Sequence, residues 1–238
     1  DPYAVLFEDY EPYLGLDTTE QILSEIEERI PGLVGDIDTA SSVGSLPDGS
    51  FPVKKQEAVV RAILDRLGFD WDRGRLDTST HPFSTGNVHD ARITTRFGAS
   101  DPLDGIMSAI HEFGHALYSL GLPAEEFGTP IGSPRDLSVH ESQSRFWENH
   151  IARSAGLWEV VYPVITDVFS AFEETSPSEL FRRVNRIYPD NVIRVEADEL
   201  TYHLHIIVRY EIGRDLIRGD LAVEEIPEVW NRKMREKL

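Results

Sequence analysis

The chain has no cysteine among its 238 residues. Disulfides are thereby excluded, as is any metal site built on thiolate, which leaves histidine and carboxylate as ligands. Lysine is scarce, with only Lys54, Lys55, Lys233 and Lys237 beside nineteen arginines. No apolar run approaches the roughly 18 residues a membrane span needs, and no secretory signal opens the sequence. Positive charge is short as a whole: 23 basic residues face 42 acidic ones, a net charge of −19. The acid is spread along the chain rather than gathered in a tail, which argues against nucleic acid and membrane as partners. Distributed acid with little lysine suits a cytoplasm of very high salt, where self-repulsion is screened. The expectation is a cytoplasmic protein of a halophile; an acidic mesophilic protein is the alternative, and unfolding at low salt separates the two.

Histidine is also sparse, yet two of the eight histidines bracket a glutamate in Ile110-His111-Glu112-Phe113-Gly114-His115. Residues four apart project from one face of an α-helix, so His111 and His115 can share one metal ion. Glu112 can then act as general base toward a water on that ion. Two imidazoles, a carboxylate and one open position describe a hydrolytic zinc site. Met107, Ile110, Phe113, Ala116, Leu117 and Leu120 predict that the helix is buried. Gly114 costs roughly 1 kcal/mol relative to alanine inside a helix, so a close approach of substrate or a neighbouring strand is expected there. An amphipathic helix with incidental histidines is the plainer reading.

A third ligand is expected from a later helix. Residues 138–151 have helical periodicity, and Glu141 lies 26 residues after His115, room for the chain to turn and return antiparallel. Glu141 would complete a His₂Glu set, with His140 and Glu148 as rivals.

Elsewhere the patterns predict a mainly α chain with one small β-sheet or hairpin. Helices are expected over 3–13, from Asp17 to Pro31-Gly32, and over 53–67. Residues 35–52 read as a loop rich in Gly, Ser, Asp and Pro. Residues 75–97 read as a β-hairpin whose second strand, 90–97, is an edge beside the metal helix that an extended peptide could join. Residues 101–238 read as metal-bearing helices, with a long one over 193–218 capped by Asp190-Asn191. On that long helix Arg194, Asp198 and Tyr202 would share a face. The arginine could bind a carboxylate bidentately, with Arg92, Arg96 and Arg153 as rivals. The aspartate could hold the far nitrogen of a metal-bound histidine, and the tyrosine could steady an oxyanion.

Taken in order, these segments resemble the carboxypeptidase Taq family of metallocarboxypeptidases. His81-Pro82-Phe83 is similar to the family's HPF, and Asp90-Ala91-Arg92-Ile93-Thr94 to its DxRxT. His111–His115 is similar to HExxH, His140-Glu141-Ser142-Gln143 to HES/GQ, and the stretch from Asn191 to Tyr202 to I/NxxRxxA/SDExTY. The resemblance implies a gluzincin-like, neurolysin-like helical fold with an internal groove. It implies His111, His115 and Glu141 on zinc or cobalt, Glu112 as base and Tyr202 near the reacting carbonyl. Arg194 would hold the substrate's terminal carboxylate, and the HPF and DxRxT matches bring His81 and Arg92 to the substrate side. Family members act on peptides, spare proline and are usually cytosolic homodimers. A further family motif, GxxQDxHW, has no match here, so residues 1–238 are expected to be the catalytic core of a longer enzyme.

Two other functions compete. One is an oligoendopeptidase of the same zincin type, which would also cleave peptides with an amidated C-terminus. The other is a non-catalytic helical interaction module, which would be indifferent to metal and chelators.

Overall fold

The computed structural model describes residues 1–37, 45–189 and 191–238. The chain divides into two units, Asp1–Ser42 with Asn185–Leu238, and Val43–Val184. Both are mostly helical. Among the described residues no helix is long and apolar enough to cross a membrane.

The unit Val43–Val184 begins its regular structure with α3 (Val53–Leu67), preceded in the chain by α1 (Pro2–Glu8) and α2 (Leu16–Asp36) of the other unit. Val59, Val60, Ile63 and Leu64 form the buried stripe of α3. The helix stops at Gly68, whose φ of 86° is one that residues with a side chain rarely adopt. Three strands follow: β1 (Gly74–Thr78), β2 (Ser84–Gly86) and β3 (Ala91–Thr95). Their order is β1-β3-β2, with β1 parallel to β3 and β2 antiparallel to it. The expected hairpin is therefore the β2–β3 pair, with a parallel strand added. The strand over 90–97 is central, not an edge; the edges are β1 and β2.

Ala91, Ile93 and Thr95 alternate onto one face of β3, where the Thr95 hydroxyl donates to the Gly105 carbonyl of α4 (Pro102–Leu120) at 2.9 Å. Arg92 and Thr94 take the opposite face. Thr94 Oγ1 lies 2.7 Å from Ser79 Oγ and accepts from the Phe83 N–H at 2.9 Å, which fastens the loop carrying His81.

Asp101 caps α4 by accepting from the Leu103 N–H, and Pro102 occupies its first turn. Leu103, Ile106, Ala109, Ile110, Phe113, Ala116 and Leu120 are buried along its length. Then come α5 (Leu137–Arg145), a π-helical stretch over Phe146–Ala152, α6 (Ala155–Val168) and α7 (Pro177–Val184). One continuous hydrophobic core joins α3, the sheet, α4, α6 and α7, with Trp158, Phe113 and Phe172 among its fully buried side chains.

In the other unit, α2 runs through Pro31 to Asp36, past the expected stop. Ile30 and its partly buried neighbours Leu23, Ile26 and Val34 pack on Leu204 and Ile207 of α8 (Thr201–Arg218). Full burial is worth roughly 1.5–3 kcal/mol per large apolar side chain. Several such contacts offset the ~3 kcal/mol that an interior proline costs. The last helix, α9 (Ile226–Lys237), packs on α8 through Met234, Val208 and Ile212.

Residues 193–200 do not continue α8. Arg194–Glu196 form a single 3₁₀ turn, and the α-helix starts only at Thr201. The expected Asp190-Asn191 cap is displaced accordingly: Asp190 lies outside the described residues, and Asn191 Oδ1 accepts from the Ile193 N–H instead. Of the expected loop 35–52, residues 35–36 finish α2, 38–44 lie outside the described residues, and 45–52 form no helix or strand.

Candidate metal centre

The site is assembled from α4 and α5. These helices cross closely because position 114 has no side chain. A Cβ on Gly114 would lie 2.6 Å from the Ser144 Cα and 2.7 Å from the Gln143 carbonyl oxygen, far inside contact distance. The close approach expected at Gly114 is thus made by a helix rather than by substrate or a strand. It sets α5 beside the face of α4 that carries His111 and His115.

Glu141 Oε2 lies 3.1 Å from His115 Nε2 and 3.8 Å from His111 Nε2. All three donor atoms fall within 4.8 Å of one another. Ligands about 2.0–2.1 Å from one tetrahedral ion stand about 3.3 Å apart, so these spacings bracket what a shared divalent ion requires. The donor chemistry also fits, being two imidazoles and a carboxylate without thiolate. Burial pushes the Glu141 carboxyl up, but the His115 hydrogen bond and the charges of His111 and Arg145 outweigh it, and it is held at about 2. Glu141 is therefore an anion at neutral pH.

The two rival ligands lie behind the histidines. Glu148 Oε2 is 2.6 Å from His111 Nδ1, and His140 Nδ1 is 2.6 Å from His115 Nδ1. A carboxylate at Nδ1 places the proton there and leaves the Nε2 lone pair facing Glu141. Burial pulls the His140 pKa down, and the nearby His115 adds to this. A neutral His140 can accept a proton bond from His115 Nδ1, which frees the His115 Nε2 lone pair in the same way.

Glu112, adjacent to His111, is buried. Burial raises its pKa, opposed by the charges of His111 and His115 and by a hydrogen bond with Ser84 of β2. Ser84 pairs with Ile93, so it shares the sheet face that meets α4. The edge strand beside the metal helix is therefore β2, and it holds the candidate base.

The remaining expected residues fall elsewhere. His81 is exposed in the loop between β1 and β2, where its carbonyl accepts from Ser79 Oγ. Arg92 is exposed on the sheet face opposite α4 and is paired with Asp90 at 2.9 Å. In the other unit, the Arg194 guanidinium donates to the Tyr202 hydroxyl and lies over its ring, 5.5 Å from the centroid. The two side chains meet although no continuous helix joins them.

Asp198 is engaged within its own unit. It is buried, and its oxygens accept from the N–H groups of Tyr188, Leu200 and Thr201 and from the Thr201 hydroxyl. Four bonds use the capacity of a carboxylate, so Asp198 serves as a local staple that starts α8. The carboxylate behind a candidate ligand is Glu148, whose position seven residues after Glu141 put it on the same helix face. Arg145, four residues after Glu141, lies on that face too and carried the same signal.

Residues 1–238 match the family of carboxypeptidase Taq (M32) metallopeptidases. The chain is 41% identical to thermostable carboxypeptidase 1 of Thermus thermophilus, covering 99% of this chain and 47% of that protein. It is 39% identical to carboxypeptidase 1 of Bacillus subtilis, covering 100% of this chain and 48% of that one. Its fold is similar to that of the solved M32 carboxypeptidase from Deinococcus radiodurans, with a TM-score of 0.90 at 34% identity over 100% of this chain and 48% of the other. The chain spans about half the length of each of these relatives.

Proposed function

Because the chain belongs to the carboxypeptidase Taq (M32) metallopeptidase family, we propose that the whole protein removes C-terminal residues from peptides with a divalent ion on His111, His115 and Glu141. The observation that carries this reading is the convergence of those three donor atoms. Zinc suits the donor set, with cobalt the alternative. When bound, the ion supplies Lewis acidity, polarising the peptide carbonyl and lowering the pKa of a water.

The chain's own residues carry the protons and orient the substrate. Glu112 takes a proton from the attacking water and returns it to the departing amine. Ser84 fixes its carboxylate. Arg194 binds the terminal carboxylate of the peptide. Charge pairing favours it over its rivals, since Arg92 is already paired with Asp90, Arg96 with Asp104, and Arg153 with Glu148. Arg194 has no carboxylate ion pair among the described residues, its guanidinium being engaged by Tyr202. Tyr202 steadies the developing oxyanion, and the hydrogen bond its oxygen accepts from Arg194 strengthens its hydroxyl as a donor. His81 contributes to the substrate side through the HPF segment. Residence in a high-salt cytoplasm, supported by the net charge of −19, and the homodimeric state that the family resemblance implies belong to the same reading.

Titrating the chelator-treated chain with zinc tests the proposal. One ion should bind per chain, and His111→Ala or Glu141→Ala should abolish binding without loss of helix content. Undiminished uptake by both variants would place the ion elsewhere.

A further inference from the structure

Arg145 is the last residue of α5, immediately before the backbone widens into the π-helical stretch. Its Nε donates to Glu141 Oε1 at 3.0 Å, and its Nη1 donates to Glu148 Oε2 at 2.9 Å. Glu148 Oε2 is the atom that faces His111 Nδ1, while Glu141 Oε2 faces both Nε2 atoms. One guanidinium thus ties together the carboxylate in front of His111 and the carboxylate behind it. The arrangement is three-quarters or more buried at Arg145, Glu148 and His111. Two carboxylates from one helix face would repel if left unbridged. A planar fork can hold both, which a point charge cannot.

We propose that Arg145 is a positioning residue that restrains Glu141 to one-oxygen ligation and locks Glu148 against His111, keeping one position on the ion open for water. The inference rests on the metal site of the preceding section. Glu141 has two oxygens: the Ser144 hydroxyl donates to Oε2 at 3.0 Å, and the Arg145 grip on Oε1 completes the restraint that stops the group from turning to offer both. Without Arg145, Glu148 also loses the donor on Oε2, the oxygen that faces the histidine, and keeps only the more distant Arg153 at 3.8 Å from Oε1.

The sign of the effect separates this role from a plain electrostatic one. A cation beside the site repels a divalent ion, so removing its charge alone would tighten binding. Removing a positioning group weakens it. Outer partners of metal ligands typically contribute 10–100-fold in affinity, and Arg145→Met should weaken cobalt binding by about that factor. Arg145→Lys keeps the charge but not the fork, and should lose roughly tenfold.

The experiment is competition of Co²⁺ against a chromophoric chelator, with the visible spectrum of the bound ion recorded for wild type, Arg145→Met and Arg145→Lys. Both variants should bind one ion, more weakly, with the lower d–d absorbance of a higher coordination number. Equal or tighter binding with an unchanged spectrum would overturn the role. If Arg145→Met does not fold, the lysine variant decides alone on the same two readouts. Failure of the wild type to bind one ion would instead refute the metal site itself.

Discussion

The two units of this chain are held together by different physics. Residues 43–184 have one continuous core from Phe51 to Leu180, in which α4 is buried on several sides. The other unit has two small clusters, Ile30-Leu204-Ile207 and Val208-Ile212-Met234. Its helices are also tied by charge. Glu20 meets Tyr210, Arg214 and Arg218, while Glu211 meets Lys233 and Lys237. The difference shows where geometric precision is built. Candidate ligands that must agree within tenths of an ångström stand on helices fixed by apolar packing, which ionic screening does not weaken. The candidate carboxylate-binding arginine stands in the unit whose small apolar clusters are supplemented by ion pairs between helices.

The largest effect should come from the cored unit. In the whole protein, Glu112→Gln would keep the side chain's shape and its bond to Ser84 but remove the proposed base, so kcat on a free-acid peptide should fall about 10²–10⁴-fold. Bound metal, measured in the same samples, should be unchanged. Near-normal turnover would assign the base to another group.

A smaller but still large loss is expected in the charged unit. In the whole protein, Arg194→Met would remove the proposed charge-assisted, bidentate contact, worth roughly 2–5 kcal/mol in transition-state binding. On free-acid peptides kcat/KM should drop at least about a hundredfold. The preference over amidated peptides should shrink, while metal content stays constant. Wild-type rates in this variant, with Arg92→Met abolishing the preference, would move the role to the exposed arginine of β3.

Gly114→Ala tests how tightly the cored unit is fitted. Helix propensity alone favours the change by about 1 kcal/mol. The new methyl would stand 2.6 Å from the Ser144 Cα, however, and backbone cannot yield as a flexible side chain does. Overpacking of this kind costs typically 1–3 kcal/mol, so the denaturant midpoint should fall and metal affinity with it. A rise in stability would mean that α4 and α5 can separate without loss.

The same contrast governs what could be read from the sequence. His111 and His115 were legible because a 3.6-residue period leaves no freedom in which residues share a face. Glu141 followed from counting the chain needed to turn and return. Spacing could not say which side of a histidine a carboxylate takes, so Glu148 was read only as a rival ligand and its place behind His111 was missed. The parallel pairing of β1 with β3 was hidden because periodicity identifies a strand but not its partner. Residues 193–200 mimicked a helix for a specific reason. Their apolar and polar spacing is helical, but Asn191 and Asp198 bind backbone N–H groups on either side and offer an alternative to the helix ladder.

The smallest expected effect probes the ion pairs themselves. Arg214 lies 3.3 Å from Glu20 and 3.0 Å from Asp215, and its guanidinium also rests over the Tyr210 ring. Glu20 keeps other partners when Arg214 is lost: Tyr210 donates to it at 2.9 Å, and Arg218 lies 3.7 Å away. Burial and the Glu20 hydrogen bond push the Tyr210 hydroxyl up to about 12, so it stays a donor across the working pH range. Arg214→Met should therefore cost only about 0.2–1 kcal/mol at low salt. Because the Debye length falls from ~10 Å at 0.1 M to ~3 Å at 1 M, the gap between variant and wild type should narrow as potassium chloride is added. Wild type itself should gain stability over the same range, since salt screens the repulsion of a chain with net charge −19. Denaturant midpoints at the two salt concentrations measure both. A gap that stays constant or widens would show that the methylene stem of Arg214 and its contact with Tyr210, rather than its charge, hold α2 to α8.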